Sequence, residues 1–424
     1  MKLAVIGGAS SYTPELIEGL YDRLDRIPVT EVWMMDPNTE RLNITVGLAR
    51  RMGKKHGNPF EIHQTDDMRE AVKGAAFVLT QIRVGGIQAR IGDEKLGKKH
   101  GIIGQETTGV GGFACALRTI PKILEIAHAM EELAPDGMMI NFTNPAGIVA
   151  ESVLRHSTIK SVGLCNVPVG MIMHVTKFMD CKPEEIELDY VGLNHLSWVR
   201  SFKVAGKDVT KECIAKFAEM APEEWPDDDI RNGMLLAFDQ LGMFMNYYLQ
   251  HFYCTDAVIA DYASRDTTRG EDIIAVEETL FAKYAQEDLA EKPEELSKRG
   301  GAHYSTAAFH LIDAIHNDTQ NSQIVCCRNN GAIPGFDDDA AVEIPSIISK
   351  DGAAGIPQEA PAPIIRGLMQ QMKAYETLTI KAAVERDKKV AFEAMLTHPL
   401  MPGALGCQAL LDDLLEVNKP YLDW

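Results

Sequence analysis

The stretch Leu3-Ala4-Val5-Ile6-Gly7-Gly8-Ala9-Ser10-Ser11-Tyr12-Thr13-Pro14-Glu15 decides the fold. A short apolar run ends in paired glycines, and a helix is expected from about Thr13, with Thr13 as its cap and Pro14 in its first turn. A glycine turn at a helix start lets a pyrophosphate approach the backbone, where N–H groups and the helix dipole hold it. The spacing departs from G-x-G-x-x-G, so the turn alone also fits a plain tight turn. Asp36 closes the next apolar run, Val32 to Met35, and stands where a carboxylate takes the ribose hydroxyls of NAD and repels the extra phosphate of NADP. Gly7, Gly8, Ser10 and Asp36 are therefore the candidate residues for NAD.

Outward from this unit, short apolar runs at Glu31–Met35, Ala76–Ile82, Met138–Phe142 and Ser161–Leu164 read as buried strands, each ending in a loop-forming residue. Leu117, Ile120, Leu124, Ala127 and Met130 recur at helical spacing, which marks a crossover helix. Strands alternating with helices predict an α/β fold with a parallel sheet over residues 1–175. Beyond that the texture changes. Leu188–Val204 reads as extended chain, Pro222–Asp229 as an acidic loop, and helices follow from about Gly233, giving an α+β domain over residues 176–424. The acidic runs at 227–229 and 337–339 read as solvated turns.

The length of 424 residues fits two domains, and 46% hydrophobic with 24% charged residues is a globular composition. A net charge of −19 opposes phosphate backbones and anionic lipid, so neither nucleic acid nor membrane is an expected partner. The 8 cysteines form no C-x-x-C pair, which excludes a zinc cage or disulfide framework and suits a reducing compartment. With no signal peptide at the N-terminus and no long apolar segment, the expected setting is cytoplasmic.

Three other places can carry chemistry. Gly104-Gln105-Glu106-Thr107-Thr108-Gly109-Val110-Gly111-Gly112 is too glycine-rich for core and too polar for a linker, so it is expected to lie against a ligand. Asn144, in Asn141-Phe142-Thr143-Asn144-Pro145, follows a strand end where ligands of open sheets gather; it suits a substrate or ribose hydroxyl, or else shapes the turn before Pro145. Cys165-Asn166-Val167-Pro168 and Gly192-Leu193-Asn194-His195 bring a cysteine and a histidine that are ordinary core residues unless they meet in space.

With these segments in hand, the sequence resembles family 4 of the glycoside hydrolases, enzymes that cleave glycosides with NAD and a divalent metal. The residues that carry the likeness are Gly7-Gly8-Ala9-Ser10 with Thr13-Pro14, Arg90, Gln105-Glu106-Thr107, Asn141 to Pro145, Cys165 to Pro168, Gly192 to His195, Tyr248-Leu249, Thr268-Arg269 and Arg299-Gly300-Gly301-Ala302-His303-Tyr304-Ser305. They span essentially the whole chain. The family is an NAD-dependent exception to the two-carboxylate mechanism of glycoside hydrolysis.

The resemblance implies a redox-assisted elimination. Hydride leaves C3 of the sugar to NAD⁺, the ketone acidifies the C2 proton, a base removes it, and the aglycone departs from C1. Water then adds and the retained NADH reduces C3 again. By the same resemblance Cys165 and His195 hold Mn²⁺ or another divalent metal, with sugar hydroxyls and water completing its shell. Tyr248 is the base, with Tyr247 the adjacent competitor, and Glu106 raises its basicity by hydrogen bonding. Arg90, Asn144, Asn166 and Arg269 bind substrate, Arg299 being a further candidate and Arg265 a competitor of Arg269 for the match. Guanidinium groups suit the phosphate of a C6-phosphorylated sugar.

Asn166 separates subgroups within the family: 6-phospho-α-glucosidases carry aspartate there as proton donor, whereas 6-phospho-β-glucosidases carry asparagine. An amide cannot protonate a leaving group, so the general acid is unassigned. The expectation is a cytoplasmic, NAD- and Mn²⁺-dependent 6-phospho-β-glucosidase acting on a phosphorylated disaccharide or aryl glycoside. It would have a Rossmann-like domain, a C-terminal α+β domain resembling those of lactate and malate dehydrogenases, and a homodimeric or homotetrameric state. The alternatives are a 6-phospho-α-glucosidase or other family glycosidase, and, in another reaction class, a dehydrogenase with net hydride transfer.

Overall fold

The computed structural model describes residues 1–299, 304–422 and 424, so Gly300 to His303 of the Arg-Gly-Gly-Ala-His motif lie outside the described residues. In chain order the strands are β1 (Lys2–Ile6), β2 (Glu31–Met35), β3 (Glu61–Thr65), β4 (Phe77–Thr80), β5 (Gly104–Gln105), β6 (Met138–Asn141), β7 (Lys160–Gly163), β8 (Ile186–Leu193), β9 (Leu196–Val204), β10 (Lys207–Asp208), β11 (Phe244–Met245), β12 (Ser322–Arg328), β13 (Ala341–Ser349) and β14 (Gly352–Gly355).

Nine of these make one sheet in the order β14-β13-β12-β7-β6-β4-β1-β2-β3. The stretch from β3 to β7 is parallel throughout. Its order is that of a doubly wound dinucleotide-binding sheet, with the switch point between β1 and β4. The expected Rossmann-like architecture is what these residues form. β4 and β6 are apolar runs buried along their whole length between helices on both faces. One such helix is the crossover Gly109–Leu133, whose stripe of Leu117, Ile120, Leu124, Ala127 and Met130 is buried.

Three features depart from the sequence reading. β3 lies at the sheet edge, carries Glu61, His63 and Gln64 and has no fully buried residue, so it lacks the apolar run that reveals the other strands. β12 pairs antiparallel with β7, and the sheet thereby draws strands from both sides of residue 175. The segment Pro222–Asp229 is mostly helical: Pro222 lies inside the helix Thr210–Glu224, and the next helix, Asp228–Leu241, begins in the acidic run. Asp227 caps it by accepting the N–H groups of Asp229 and Ile230, both at 3.0 Å.

The extended run Leu188–Val204 is a hairpin. β8 and β9 pair antiparallel with Leu193 opposite Leu196, which leaves Asn194-His195 as a two-residue turn. β11 pairs with β9, Met245 opposite Trp198, and Asn246 N–H then donates to Ser197 O at 3.0 Å. This register carries the next residues, Tyr247 and Tyr248, toward the hairpin turn. Among the described residues no helix is long and apolar enough to cross a membrane.

Candidate active site

A cavity of about 920 Å³ opens beyond the carboxyl ends of β1, β2, β4 and β6. Gly7, Ser10 and Asp36 line one part of it, and Arg90, Glu106, Asn144, Asn166, Tyr248 and Arg269 line another. Gly7 has φ +96°, and a Cβ there would fall 2.7 Å from Gln81 O, so only glycine fits. Gly8 plays a different part from the one expected: it is pressed against β2, where a Cβ would lie 3.0 Å from Met34 Cβ, and it is not among the residues lining the cavity. Thr13 is the first helical residue, not the cap, and its hydroxyl donates to Gly8 O at 2.9 Å. Asp36 accepts the N–H groups of Ala9 at 3.2 Å and Asn38 at 2.9 Å, which holds the carboxylate at the lip of the glycine turn. Burial raises its carboxyl above the ordinary value despite these donors.

The glycine-rich segment reaches the cavity through Gln105 and Glu106, while its glycines serve packing. Its glycines face protein, not ligand: a Cβ at Gly111 would lie 2.3 Å from Gln105 O, one at Gly112 2.4 Å from Thr107 C, and one at Gly109, with φ +68°, 2.1 Å from Ile103 O. They let the turn carrying Gln105, Glu106 and Thr107 fold tightly onto the helix that starts at Gly109.

Glu106 bridges two arginines. Arg90 reaches its Oε2 at 2.8 Å and Arg83 pairs with its Oε1. Burial alone would push this carboxyl up, yet Arg83, Arg90 and Arg299 hold it at about 2. Its carboxylate is therefore committed to guanidinium groups, and it acts on Tyr248 through its charge. Arg83, in the loop after β4, escaped the sequence reading. The rule that singles out Asn144 after β6 applies equally to the residues after β4 and would have found it. Arg90 also pairs with Glu94 at 2.7 Å. Glu94 accepts Gly270 N–H at 2.8 Å, which ties this cluster to the helix Arg269–Tyr284. Arg269 lines the cavity, whereas Arg265 is paired with Asp261 and half exposed. Arg299 donates to Glu277 and to Ser11 Oγ, both at 3.2 Å.

Cys165 and His195 both neighbour Tyr248 at one corner of the site, the one through its charge and the other by ring stacking; neither is among the residues lining the cavity, and His195 lines a smaller pocket beside Asn194. Cys165 precedes the helix Asn166–Met179 as its N-terminal flanking residue and is 5% exposed. Asn194 is the neighbour of His195 in the hairpin turn. His195 has φ +62°, a conformation that favours glycine or asparagine, so the turn holds this imidazole at a cost in backbone strain. Thr107 Oγ1 lies 2.8 Å from Nδ1, which leaves Nε2 as the remaining ring nitrogen. The Tyr248 ring stacks on His195, centroids 3.7 Å apart and planes at 6°. Tyr247, by contrast, is 40% exposed and stacks on Trp225.

The electrostatics of this corner suit a cation. Burial pushes the Cys165 thiol up, and Glu343 pushes it further. Burial also drives His195 down to about 3, so its imidazole is neutral. Burial raises the Tyr248 phenol, and Cys165 and Glu106 act in the same direction. A divalent ion would reverse the thiol and phenol shifts while using the neutral imidazole. A soft sulfur and an imidazole nitrogen are donor types that suit a transition metal. Among the described residues no group of three or more His, Cys, Asp or Glu converges.

Residues 2–181 match the model of the family described as Family 4 glycosyl hydrolase, and residues 190–401 match that of the Family 4 glycosyl hydrolase C-terminal domain. A protein named probable 6-phospho-beta-glucosidase of Bacillus subtilis (strain 168) is 41% identical over 437 residues, spanning 100% of this chain and 97% of its own. A structure of the 6-phospho-beta glucosidase from Thermotoga maritima with NAD and glucose-6-phosphate superposes with a TM-score of 0.92 at 36% identity, covering 100% of this chain and 99% of its own. A second structure of that enzyme, with manganese, NAD⁺ and glucose-6-phosphate, gives 0.91 at 35% identity and the same 100% and 99% coverage. Lactate dehydrogenase from Eimeria maxima, with NADH and oxamate, shares the fold alone: TM-score 0.54, 13% identity, 91% of this chain and 96% of its own.

Proposed function

The chain belongs to the family 4 glycosyl hydrolases, and from that premise we propose that it hydrolyses 6-phospho-β-glucosides with NAD⁺ and a divalent metal, manganese foremost. The observation that carries the reading is the continuity of one cavity from the glycine turn and Asp36 to Tyr248, Glu106 and the arginines. When bound, NAD⁺ supplies a hydride acceptor and the metal a Lewis acid for the sugar oxygens.

The chain's own residues do the rest. Asp36 takes the ribose hydroxyls, and Gly7 and Ser10 leave room for the pyrophosphate. Cys165 and His195 Nε2 hold the metal. Tyr248 removes the C2 proton as phenolate; a divalent ion held beside it would favour that form, the phenol proton leaving to solvent, against the opposing pull of burial and of Cys165 and Glu106. Arg90 and Arg269 receive the phosphate with Arg83 beside them, and Asn144 takes a sugar or ribose hydroxyl. Asn166 hydrogen-bonds without donating a titratable proton, which favours the β-glucosides over the α. In this reading residues 1–175 chiefly hold the dinucleotide, residues 176–424 bring His195, Tyr248 and Arg269, and the enzyme works in the cytoplasm as a homodimer or homotetramer.

The test is a comparison of p-nitrophenyl β-glucoside-6-phosphate with its α anomer and with the unphosphorylated compound, in NAD⁺ and Mn²⁺. Turnover is expected for the phosphorylated β-anomer; a preference for the α anomer or for the unphosphorylated glucoside would contradict the assignment.

A further inference from the structure

Behind the corner that holds Cys165 and His195 lies a polar chain in the core. Glu343, on β13, is 1% exposed and accepts three donors: Tyr190 Oη, Asn194 Nδ2 at 2.8 Å and Cys326 Sγ at 3.4 Å. Asn194 is the neighbour of His195 in the β8–β9 turn, so its bond ties the turn that carries the imidazole to Glu343. In the other direction Tyr190 Oη and Ser197 Oγ lie 2.6 Å apart, Asn246 Nδ2 donates to Ser197 Oγ at 3.0 Å, and Tyr248 N–H donates to Asn246 Oδ1 at 3.1 Å. Tyr190, Ser197 and Asn246 are all 0% exposed.

We propose that Glu343 is a positioning residue for the reaction, the shared acceptor that locks the turn carrying His195 and the tyrosine base into one hydrogen-bonded unit. This rests on the roles proposed above for Cys165, His195 and Tyr248. The physical reason is the direction of the bonds. Both Glu343 oxygens are taken by donors, Oε1 by Tyr190 and Oε2 by Asn194 and Cys326. Tyr190 must then donate to Glu343, Ser197 to Tyr190, and Asn246 to Ser197, which turns the Asn246 carbonyl toward Tyr248 N–H. On the other arm Asn194 must present its amide N–H to Glu343, which pins the turn that carries His195. Every orientation on both arms follows from one acceptor. A carboxylate buried in the core strand β13 otherwise has no packing advantage and a desolvation cost. Glu343 touches none of the reacting atoms; it acts through Asn194 and Tyr190.

The conservative variant Glu343→Gln keeps the shape but brings one NH₂ group to a place where only donors arrive, so one arm must break. In E343Q the Mn²⁺ dissociation constant, read by paramagnetic resonance titration of the NAD⁺-loaded protein, should rise about tenfold to a hundredfold, with NAD⁺ affinity held within about twofold. Tyr190→Phe cuts the base arm alone and should lower kcat while leaving Mn²⁺ affinity within about twofold of wild type, whereas Asn194→Ala cuts the metal arm and should weaken Mn²⁺ as E343Q does. Should E343Q fail to fold, Y190F and N194A carry the same division. Unchanged Mn²⁺ affinity in E343Q or N194A, or equal Mn²⁺ losses in Y190F and N194A, would overturn the proposal. Failure of the wild-type protein to bind Mn²⁺ would instead overturn the metal reading on which it stands.

Discussion

Replacing Glu106 with glutamine removes the carboxylate that bridges Arg83 and Arg90, in a place where the Glu106 and Arg90 side chains are 12% and 9% exposed. The structure fixes the size of the effect. Holding the carboxyl at about 2 in place of 4.5 corresponds to about 3 kcal/mol, at 1.36 kcal/mol for each decade of proton affinity. That agrees with the about 3–5 kcal/mol lost when one partner of a buried ion pair is deleted. With an unfolding entropy of about 2.1 cal/mol/K per residue, E106Q should melt about 3 °C below wild type in calorimetry without ligands at neutral pH. The sign with pH also follows. A carboxyl depressed in the folded state stabilises fully above its unfolded value of 4.5 and loses that contribution as pH falls toward about 2, so the gap between the two proteins should narrow below pH 4.5. Equal melting at neutral pH, or a gap that widens on acidification, would refute the reasoning.

Tyr248→Phe keeps the ring stacked on His195 and removes only the phenol oxygen, so kcat should fall by about 10²–10⁴ with NAD⁺ binding intact; unchanged turnover removes Tyr248 as base. Asp36→Ala removes the carboxylate that Ala9 and Asn38 hold at the glycine turn, and on the proposed ribose role a fluorescence titration should show NAD⁺ affinity weakened by about 1.5–3 kcal/mol, an outcome that an unaltered dissociation constant contradicts. Thr107→Val strips the Nδ1 partner from His195 and should weaken Mn²⁺ by about tenfold to a hundredfold, measured by calorimetric titration of the folded variant; an equal affinity would mean that the hairpin alone orients the imidazole.

The parallel sheet is legible because β1, β2, β4, β6 and β7 are short, apolar and punctuated, while β3 is hidden by its polar edge position. β12 to β14 are extended segments whose partner, β7, lies far back in the chain, and no local pattern records that pairing. At the site, Gly7 and Asp36 are readable from local order alone. Cys165, His195 and Tyr248 are unremarkable one at a time, and only the ordered set of motifs connects them; the stacking of Tyr248 on His195 depends on the β8–β9 turn and on the register of β11. Arg83 and Glu343 were missed for different reasons. Arg83 sits in a loop that carries no motif, whereas Glu343 is a lone carboxylate within the apolar run Ala341-Val342-Glu343-Ile344, and a charge in such a strand is itself a signal of a buried partner set.

The proposed chemistry oxidises and re-reduces the same sugar within one turnover, and this separates a glycosidase from a dehydrogenase on the same fold. Recording nitrophenol release and NADH absorbance together, with p-nitrophenyl β-glucoside-6-phosphate, NAD⁺ and Mn²⁺, tests it directly. Many equivalents of nitrophenol per enzyme are expected while NADH stays level, with activity lost to EDTA and restored by Mn²⁺. NADH rising in step with turnover, or nitrophenol release that persists after NAD⁺ and metal are removed, would contradict it.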